Sequence, residues 1–320
     1  MSTTKKPKQN LFPDWWWRYD RYEVKDGYIR PVEGQKLLRY EPWTGYQTPH
    51  GKAAIQQPYE SLFRLMTVLD VCEVEDSRNA AIVEWCSKYG LLGVLLHQSE
   101  SVVMPITQDG KQRGLTEYYR ETRGWSSTRD TDTNPARVGA MVRKLGHFQT
   151  ELKTLDSWSR FFPGLTTPPK FPPPFSDEFW NDYAESVTDF MVAGYFLRDC
   201  IRLLASIRDS RTTLKEKQER FYLGPAETMI HALTANVRPM IYLESKTRYG
   251  LSWAGGSLLS NLAMMAVLDF TKNRLLFCGN PKCAALFVTN SIEGRFCSKK
   301  CRGTVQMRKY RNRIKKGQTK

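Results

Sequence analysis

A long stripe of apolar residues at helical spacing dominates the body of the chain. Residues 180–205 carry apolar side chains every three or four positions, from Trp180 to Ala205. Ser176, Asp177 and Glu178 precede the stripe and predict a capped, acidic first turn. The pattern therefore predicts one continuous helix of about eight turns, which serves as the spine of the body or as a dimer helix.

Shorter elements are predicted before this helix. Residues 24–39 form short extended pieces separated by Gly and Pro, which is typical of a small sheet. Residues 58–97 are mainly helical, and one helix there is expected to be capped by Asp76 or Ser77 and to end at Gly90. The triplet at residues 15–17 is three tryptophans, which we interpret as core packing with one ring at an edge.

A hairpin and a final apolar helix follow the long stripe. Residues 237–243 and 248–253 are extended segments on either side of a polar turn, which predicts a β hairpin. Ser257 is then in position to cap an apolar helix over residues 258–270. This helix is the most apolar stretch of the chain, and it is shorter than the roughly 20 apolar residues that a membrane span needs. We therefore expect a cytoplasmic protein with no membrane partner.

The chemistry is concentrated near the C-terminus, where four of the seven cysteines form two pairs. The order is Cys278-x4-Cys283-x13-Cys297-x3-Cys301. Two pairs of thiolates suit a tetrahedral, structural zinc site, and four protein ligands leave no open position for catalysis. Four thiolates also suit an iron–sulfur cluster, whereas disulfides are disfavoured because no signal peptide is recognised.

The local context of the two pairs predicts a treble-clef finger. Turn residues at 279–281 suit a knuckle between the first two cysteines. A strand pair is expected between residues 286–288 and 295–296, followed by a helix that carries Cys297 and Cys301.

The fold class predicted overall is α+β, with a mainly helical body, small β hairpins and this C-terminal treble-clef zinc finger. The expected boundaries are a disordered tail at 1–10, an N-terminal α/β part at 11–162, a proline-rich connector at 163–175, a helical part at 176–273 and the finger with its basic helix at 274–320.

Charge is concentrated in the same region. From residue 295 onward there are eleven Lys or Arg and no Asp or Glu, out of a formal net charge of +15. Such a segment favours a phosphate backbone as partner, with DNA preferred to RNA, although a solvated basic tail is the simpler alternative. The candidate nucleic-acid contacts are Arg295, Lys299, Lys300, Arg302, Arg308, Lys309, Arg311 and Arg313.

The basic helix also has two apolar faces. Cys301 and Val305 face the metal, and Met307, Tyr310 and Ile314 form a second stripe near the opposite face. The second stripe suits docking on the body, on a second subunit of a homodimer, or on a base edge.

The run from residue 275 to 304, with the later Tyr-Arg-Asn-Arg, resembles the CGNR-type zinc finger, which in bacteria ends a larger helical domain called ABATE. The resemblance implies zinc on Cys278, Cys283, Cys297 and Cys301 and a role in transcription regulation. The chain departs from the family pattern at Phe296, where Trp is usual, and after Cys301, where the family's namesake tetrapeptide is lost.

No catalytic arrangement is evident, so we expect no enzymatic activity. The four histidines (His50, His97, His147 and His231) are scattered, and no phosphate-binding or nucleophile motif occurs.

The leading hypothesis is a zinc-stabilised nucleic-acid-binding regulator whose body senses a ligand or partner. The alternative is an interaction or dimerisation module with a purely structural zinc site. The third hypothesis is an enzyme in the body, with the Arg-rich segment at 105–137 closing over an anionic substrate.

Overall fold

The computed structural model describes residues 15–45, 57–94, 161–163, 177–210, 227, 230–231, 233–234, 237–245, 248–283, 285–289 and 294–315. The expectations for the tail at 1–10, the Arg-rich segment at 105–137 and the connector from residue 164 onward lie outside these residues. So do His50, His97 and His147.

A small β layer forms near the N-terminus, as the sequence predicts for residues 24–39. Its strands are β1 (Trp16–Tyr19), β2 (Tyr22–Lys25), β3 (Tyr28–Pro31), β4 (Leu37–Tyr40) and β5 (Glu185–Ser186). The β1 strand pairs antiparallel with β4, and β3 lies between β2 and β5 in a second antiparallel sheet. One turn of 3-10 helix follows at Pro42–Gly45.

The tryptophan triplet belongs to the core, and this confirms the interpretation made from the sequence. Trp16 and Trp17 are buried, whereas Trp15 is 38% exposed at the edge. Trp17 stacks on Trp180 with ring centroids 5.4 Å apart, and the indole of Trp16 donates to the Leu91 carbonyl at 2.9 Å. The triplet therefore holds the β layer against the helices.

The described part of the chain contains six α-helices. They are α1 (Pro58–Val71), α2 (Glu75–Tyr89), α3 (Asp177–Asp182), α4 (Val187–Ser210), α5 (Leu258–Thr271) and α6 (Lys299–Lys315). The prediction that this region is mainly helical is confirmed over its described residues, 58–94, and α2 ends at Gly90 with a φ of 85°. The predicted cap at Asp76 or Ser77 is wrong, because α2 already begins at Glu75, and both residues lie inside its first turns.

The prediction of one continuous spine helix is also wrong, because the chain leaves the helix between α3 and α4. At this break β5 pairs with β3, and the Ala184 N–H donates to the Phe161 carbonyl at 2.8 Å. The break places the Glu185 carboxylate in the core, where it accepts hydrogen bonds from the backbone of Leu92 at 3.0 Å and of Val94 at 2.8 Å. These bonds satisfy backbone groups that would otherwise be buried without partners.

Glu185 gives the stability of the body a defined pH dependence. Burial raises its pKa from 4.5 to about 6, although hydrogen bonds from Tyr183 and the backbone favour the ionised form. The folded state thus holds the proton of Glu185 more tightly than the unfolded state does. The free energy of folding that this proton contributes is complete below pH 4.5 and is lost as the pH rises through 6. The stability advantage of the wild type over Glu185→Gln should shrink by about 1 kcal/mol between about pH 5 and about pH 7.5 in urea unfolding. A constant or growing advantage would contradict this account.

Helix α4 is the centre of the body and is buried on every side from residue 189 to 207. It packs against α1 and α5. Its buried Arg198 forms ion pairs with Asp70 of α1 at 2.6 Å and with Asp199 at 2.9 Å. The body therefore contains a buried charge cluster between α1 and α4.

The last elements of the body lead directly into the cysteine region. The predicted hairpin is confirmed as β6 (Val237–Ser245) and β7 (Arg248–Gly255), and the predicted cap of α5 is confirmed because the Ser257 hydroxyl accepts from the Ser260 N–H at 3.0 Å. Strands β8 (Leu275–Phe277) and β9 (Leu286–Val288) then pair antiparallel. No helix within the described ranges has both the length and the apolar character needed to cross a membrane.

Candidate metal centre

The first cysteine pair lies in the turn between β8 and β9. The Cys278 N–H donates to the Ala285 carbonyl at 2.9 Å, and the Cys283 N–H donates to the Asn280 carbonyl at 2.8 Å. Gly279 donates its N–H to the Arg295 carbonyl at 2.7 Å, and a Cβ there would lie only 2.9 Å from that oxygen. Glycine is therefore required where the knuckle meets the segment that brings in the second pair.

The expected strand pair between residues 286–288 and 295–296 is wrong in its second partner. The knuckle reverses the chain, so the segments on either side of it, β8 and β9, pair with each other. Residues 295–296 are not in a strand, and they contact the knuckle through the Arg295 carbonyl.

The second cysteine pair lies at the start of α6. Cys297 precedes the helix by two residues, and Cys301 is in its first turn. The Ser298 hydroxyl accepts a hydrogen bond from the Cys301 N–H at 3.2 Å, in the manner of an N-cap. This cap fixes the first turn of α6 and with it the position of the Cys301 thiol.

The four sulfur atoms converge on one point. The Sγ atoms of Cys278, Cys283, Cys297 and Cys301 all lie within 4.8 Å of one another. Cys297 Sγ is 3.7 Å from Cys283 Sγ and 3.6 Å from Cys301 Sγ. A tetrahedral zinc ion with Zn–S bonds of about 2.3 Å places its sulfurs about 3.8 Å apart, and these two separations are close to that value.

The thiols differ in their acidity. Burial raises the pKa of Cys283 and of Cys297, and the neighbouring thiols raise that of Cys297 further. A hydrogen bond with Ser298 lowers the pKa of Cys301 to about 7. A cation at the centre would favour all four thiolates, since metal ligation requires deprotonated sulfur.

Body side chains hold the β8–β9 hairpin from both sides. The buried Glu60 of α1 accepts from the Val288 N–H at 2.9 Å, and Arg208 of α4 donates to the Leu275 carbonyl at 2.8 Å. Arg274, just before β8, forms an ion pair with Asp269 at 2.9 Å, and Asp269 also accepts from the hydroxyl of Tyr59 at 2.6 Å. The cysteine cluster is therefore fixed to the body, and nothing in the sequence pattern of these residues signalled this contact.

The basic residues singled out in the sequence all follow this hairpin, between residues 295 and 313. Seven of the eight candidates are exposed, and Arg308 is half-buried on the side of α6 that also carries Cys301 and Val305. Met307, Tyr310 and Ile314 are exposed, so the second stripe does not dock on the body of its own chain.

Within the described ranges, the remaining candidates in the body are not gathered into a comparable site. The described part of the chain contains His231 at its surface, and Cys86 and Cys200 are buried, as expected for core thiols, whereas Cys72 is half-buried. A cleft of about 340 Å³ lies between β3 and α3, with Arg30, Phe162 and Asp182 among its walls. It is a candidate place for a small ligand of the body.

No protein-family model, curated protein or solved structure matches this chain. The fold and the site therefore define its class: a mixed α/β protein with small antiparallel sheets and a C-terminal four-cysteine cluster that could hold a metal ion.

Proposed function

We propose that the chain is a zinc-stabilised nucleic-acid-binding protein, with duplex DNA as the favoured partner. The four thiols would hold zinc in a treble-clef finger, and α6 would contact the phosphate backbone. The resemblance of residues 275–304 to the CGNR-type finger supports this proposal and extends it to a bacterial-type transcription regulator with an ABATE-like body.

Zinc is favoured by the donor set and by the spacing of the sulfurs. Four thiolates with no nearby open position suit a structural zinc ion, which supplies folding free energy rather than catalysis. Two short-range pairs, each fixed by its own turn or cap, are the arrangement in which one ion joins a knuckle to a helix.

The observation that carries the function is the charge and exposure of α6. The helix has eight Lys or Arg and no Asp or Glu, and its first turn carries Cys301 of the four-cysteine cluster. A solvated tail would need neither the thiol cluster nor the clamps at Glu60 and Arg208. A rigid array of cations, by contrast, binds phosphates with little loss of side-chain and backbone entropy, and it releases condensed counterions.

The clamps also suggest how the body would take part. Glu60 and Arg208 connect the hairpin of the finger to α1 and α4, which form the centre of the body. A ligand or partner that shifts either helix would thereby move the base of α6, which is the arrangement a sensing body requires.

The proposal predicts a specific change in salt dependence. Replacing Arg302 and Lys309 with alanine removes two exposed cations of α6. The slope of log affinity against log salt for a generic duplex should fall by about two units, because each phosphate contact contributes about one. Fluorescence anisotropy with zinc-loaded protein at several salt concentrations measures the slope.

A matched control removes the same charge from the body. Lys25 and Lys88 are exposed and lie on β2 and α2, away from the finger. The Lys25→Ala, Lys88→Ala variant should keep the wild-type slope. An equal loss in both double variants would show that binding follows net charge and not α6, and it would contradict the proposal.

A further inference from the structure

Exposed large apolar side chains are concentrated in two surface patches. Eight such side chains occur in the described part of the chain, and six of them fall in these patches. We name the first the valine corner (Val68, 51% exposed; Val71, 74%; Val74, 60%) and the second the α6 stripe (Met307, 53%; Tyr310, 55%; Ile314, 46%). Clustered exposed apolar residues of this kind mark interaction surfaces.

The α6 stripe is bordered by positive charge on both sides. On a helical wheel Lys309 and Arg313 lie on one side of it, and Lys300 and Arg311 lie on the other. A second α6 stripe is a poor partner, because like charges would then meet along the whole contact. The stripe instead calls for an apolar surface with an acidic border.

The valine corner has that composition. It spans the end of α1 and the connection to α2, and the exposed acids Glu73, Glu75 and Asp76 lie within and beside it. Arg78 is buried and is paired with Glu75 at 3.6 Å, so this cation is not offered to a partner. Arg64, the exposed cation on the same face of α1, lies one turn nearer the N-terminus. Burial raises the pKa of Glu60, and Arg64 is close enough to offset part of that rise.

The two patches do not meet within one chain. The finger is clamped at Glu60, near the start of α1, whereas Val71 is eleven positions later, about 16 Å along the helix axis. Both patches are exposed with the clamp in place. A second copy of the chain is therefore the molecule that offers each patch its complement.

We infer that the α6 stripe of one chain docks on the valine corner of a second copy. Two such contacts related by a twofold axis close a dimer, since each chain carries both patches. The contact joins apolar side chains at its centre and opposite charges at its border. We expect such a contact to be weak and salt-sensitive, with a dissociation constant of about 10 μM. This inference does not depend on nucleic acid, and its test contains none.

Sedimentation equilibrium of the full-length, zinc-loaded protein tests the inference. Val71→Lys places a cation in the valine corner, and Tyr310→Glu places an anion in the α6 stripe. Each single variant should raise the dimer dissociation constant about tenfold or more, because it sets like charges against each other. The double variant should recover the association, since the two new charges are then opposite.

Ile241 provides the matched control. It is a 75% exposed apolar residue on β6, outside both patches, and Ile241→Lys should leave the dissociation constant unchanged. A wild-type protein that stays monomeric at about 200 μM would overturn the inference and leave the stripe to nucleic acid. A dimer that responds to only one of the single variants, or that the double variant fails to restore, would equally overturn it.

Discussion

Replacing Cys297 and Cys301 with serine is expected to abolish metal binding and to unfold the segment after β9 while the body stays folded. The two thiols would be the zinc ligands that tie α6 to the knuckle, and a hydroxyl is a far poorer zinc ligand than a thiolate. Structural zinc contributes about 10–16 kcal/mol in small fingers, so no other contact of α6 would compensate for its loss.

Metal content and cobalt spectra would check this result. The wild type should bind one zinc per chain, and cobalt substitution should give the absorption bands of a tetrahedral four-thiolate site. Limited proteolysis should cleave the variant within α6 and leave the body intact. Cys72→Ser is the matched control, because Cys72 is half-buried and is not part of the cluster. A double variant that retains stoichiometric zinc would contradict the assignment of the ligands.

Replacing Arg198 with methionine is expected to destabilise the body by about 3–5 kcal/mol. The substitution preserves much of the side-chain volume but removes the ion pairs that Arg198 forms with Asp70 and Asp199 in the interior. Removing one partner of a buried ion pair costs more than the pair itself contributes, since the desolvation of the carboxylates is then less well offset.

Urea unfolding measures this loss, and a triple variant separates charge from packing. Combining Arg198→Met with Asp70→Asn and Asp199→Asn removes all three charges at similar volume, and it should recover most of the stability. If the single variant loses less than about 1 kcal/mol of stability, or if the triple variant is the least stable, then the ion pairs of Arg198 do not stabilise the body.

The four-cysteine cluster was the part of the structure most readily predicted from sequence. Its ligands lie within a short segment, and the positions of Cys278, Cys283, Cys297 and Cys301 follow from a turn and a helix start. The hairpin β6–β7 and the Ser257 cap were predicted for the same reason, because each depends on residues close together in the chain.

The break between α3 and α4 was missed because its cause is distant in sequence. The apolar stripe continues through Tyr183 and Ala184 without losing its period, so local pattern alone favours one helix. The chain departs from it because β5 can pair with β3 and because Glu185 can satisfy the backbone of Leu92 and Val94. All of these partners are far from residue 185 in the sequence, so a helical periodicity read over neighbouring residues does not include them.

The clamps on the finger were missed for a related reason. In the sequence, Glu60 and Arg208 are ordinary charged residues of amphipathic helices, and such residues are usually solvated. Their function appears only when α1 and α4 bring them beside β9 and β8. The strand partner of β9 was likewise misassigned, because the knuckle reverses the chain and brings β8 beside β9.

The central claim is that the metal cluster orders α6 for binding to nucleic acid. Its most direct test is the affinity of the zinc-loaded protein for a labelled duplex across a range of salt concentrations, beside the Cys297→Ser, Cys301→Ser variant, which keeps every Lys, Arg, Asp and Glu of the wild type. The account predicts a steep salt dependence in the wild type that the variant loses together with most of its affinity. Equal affinity and equal slope in both proteins would contradict it, since α6 would then act only as a charged tail.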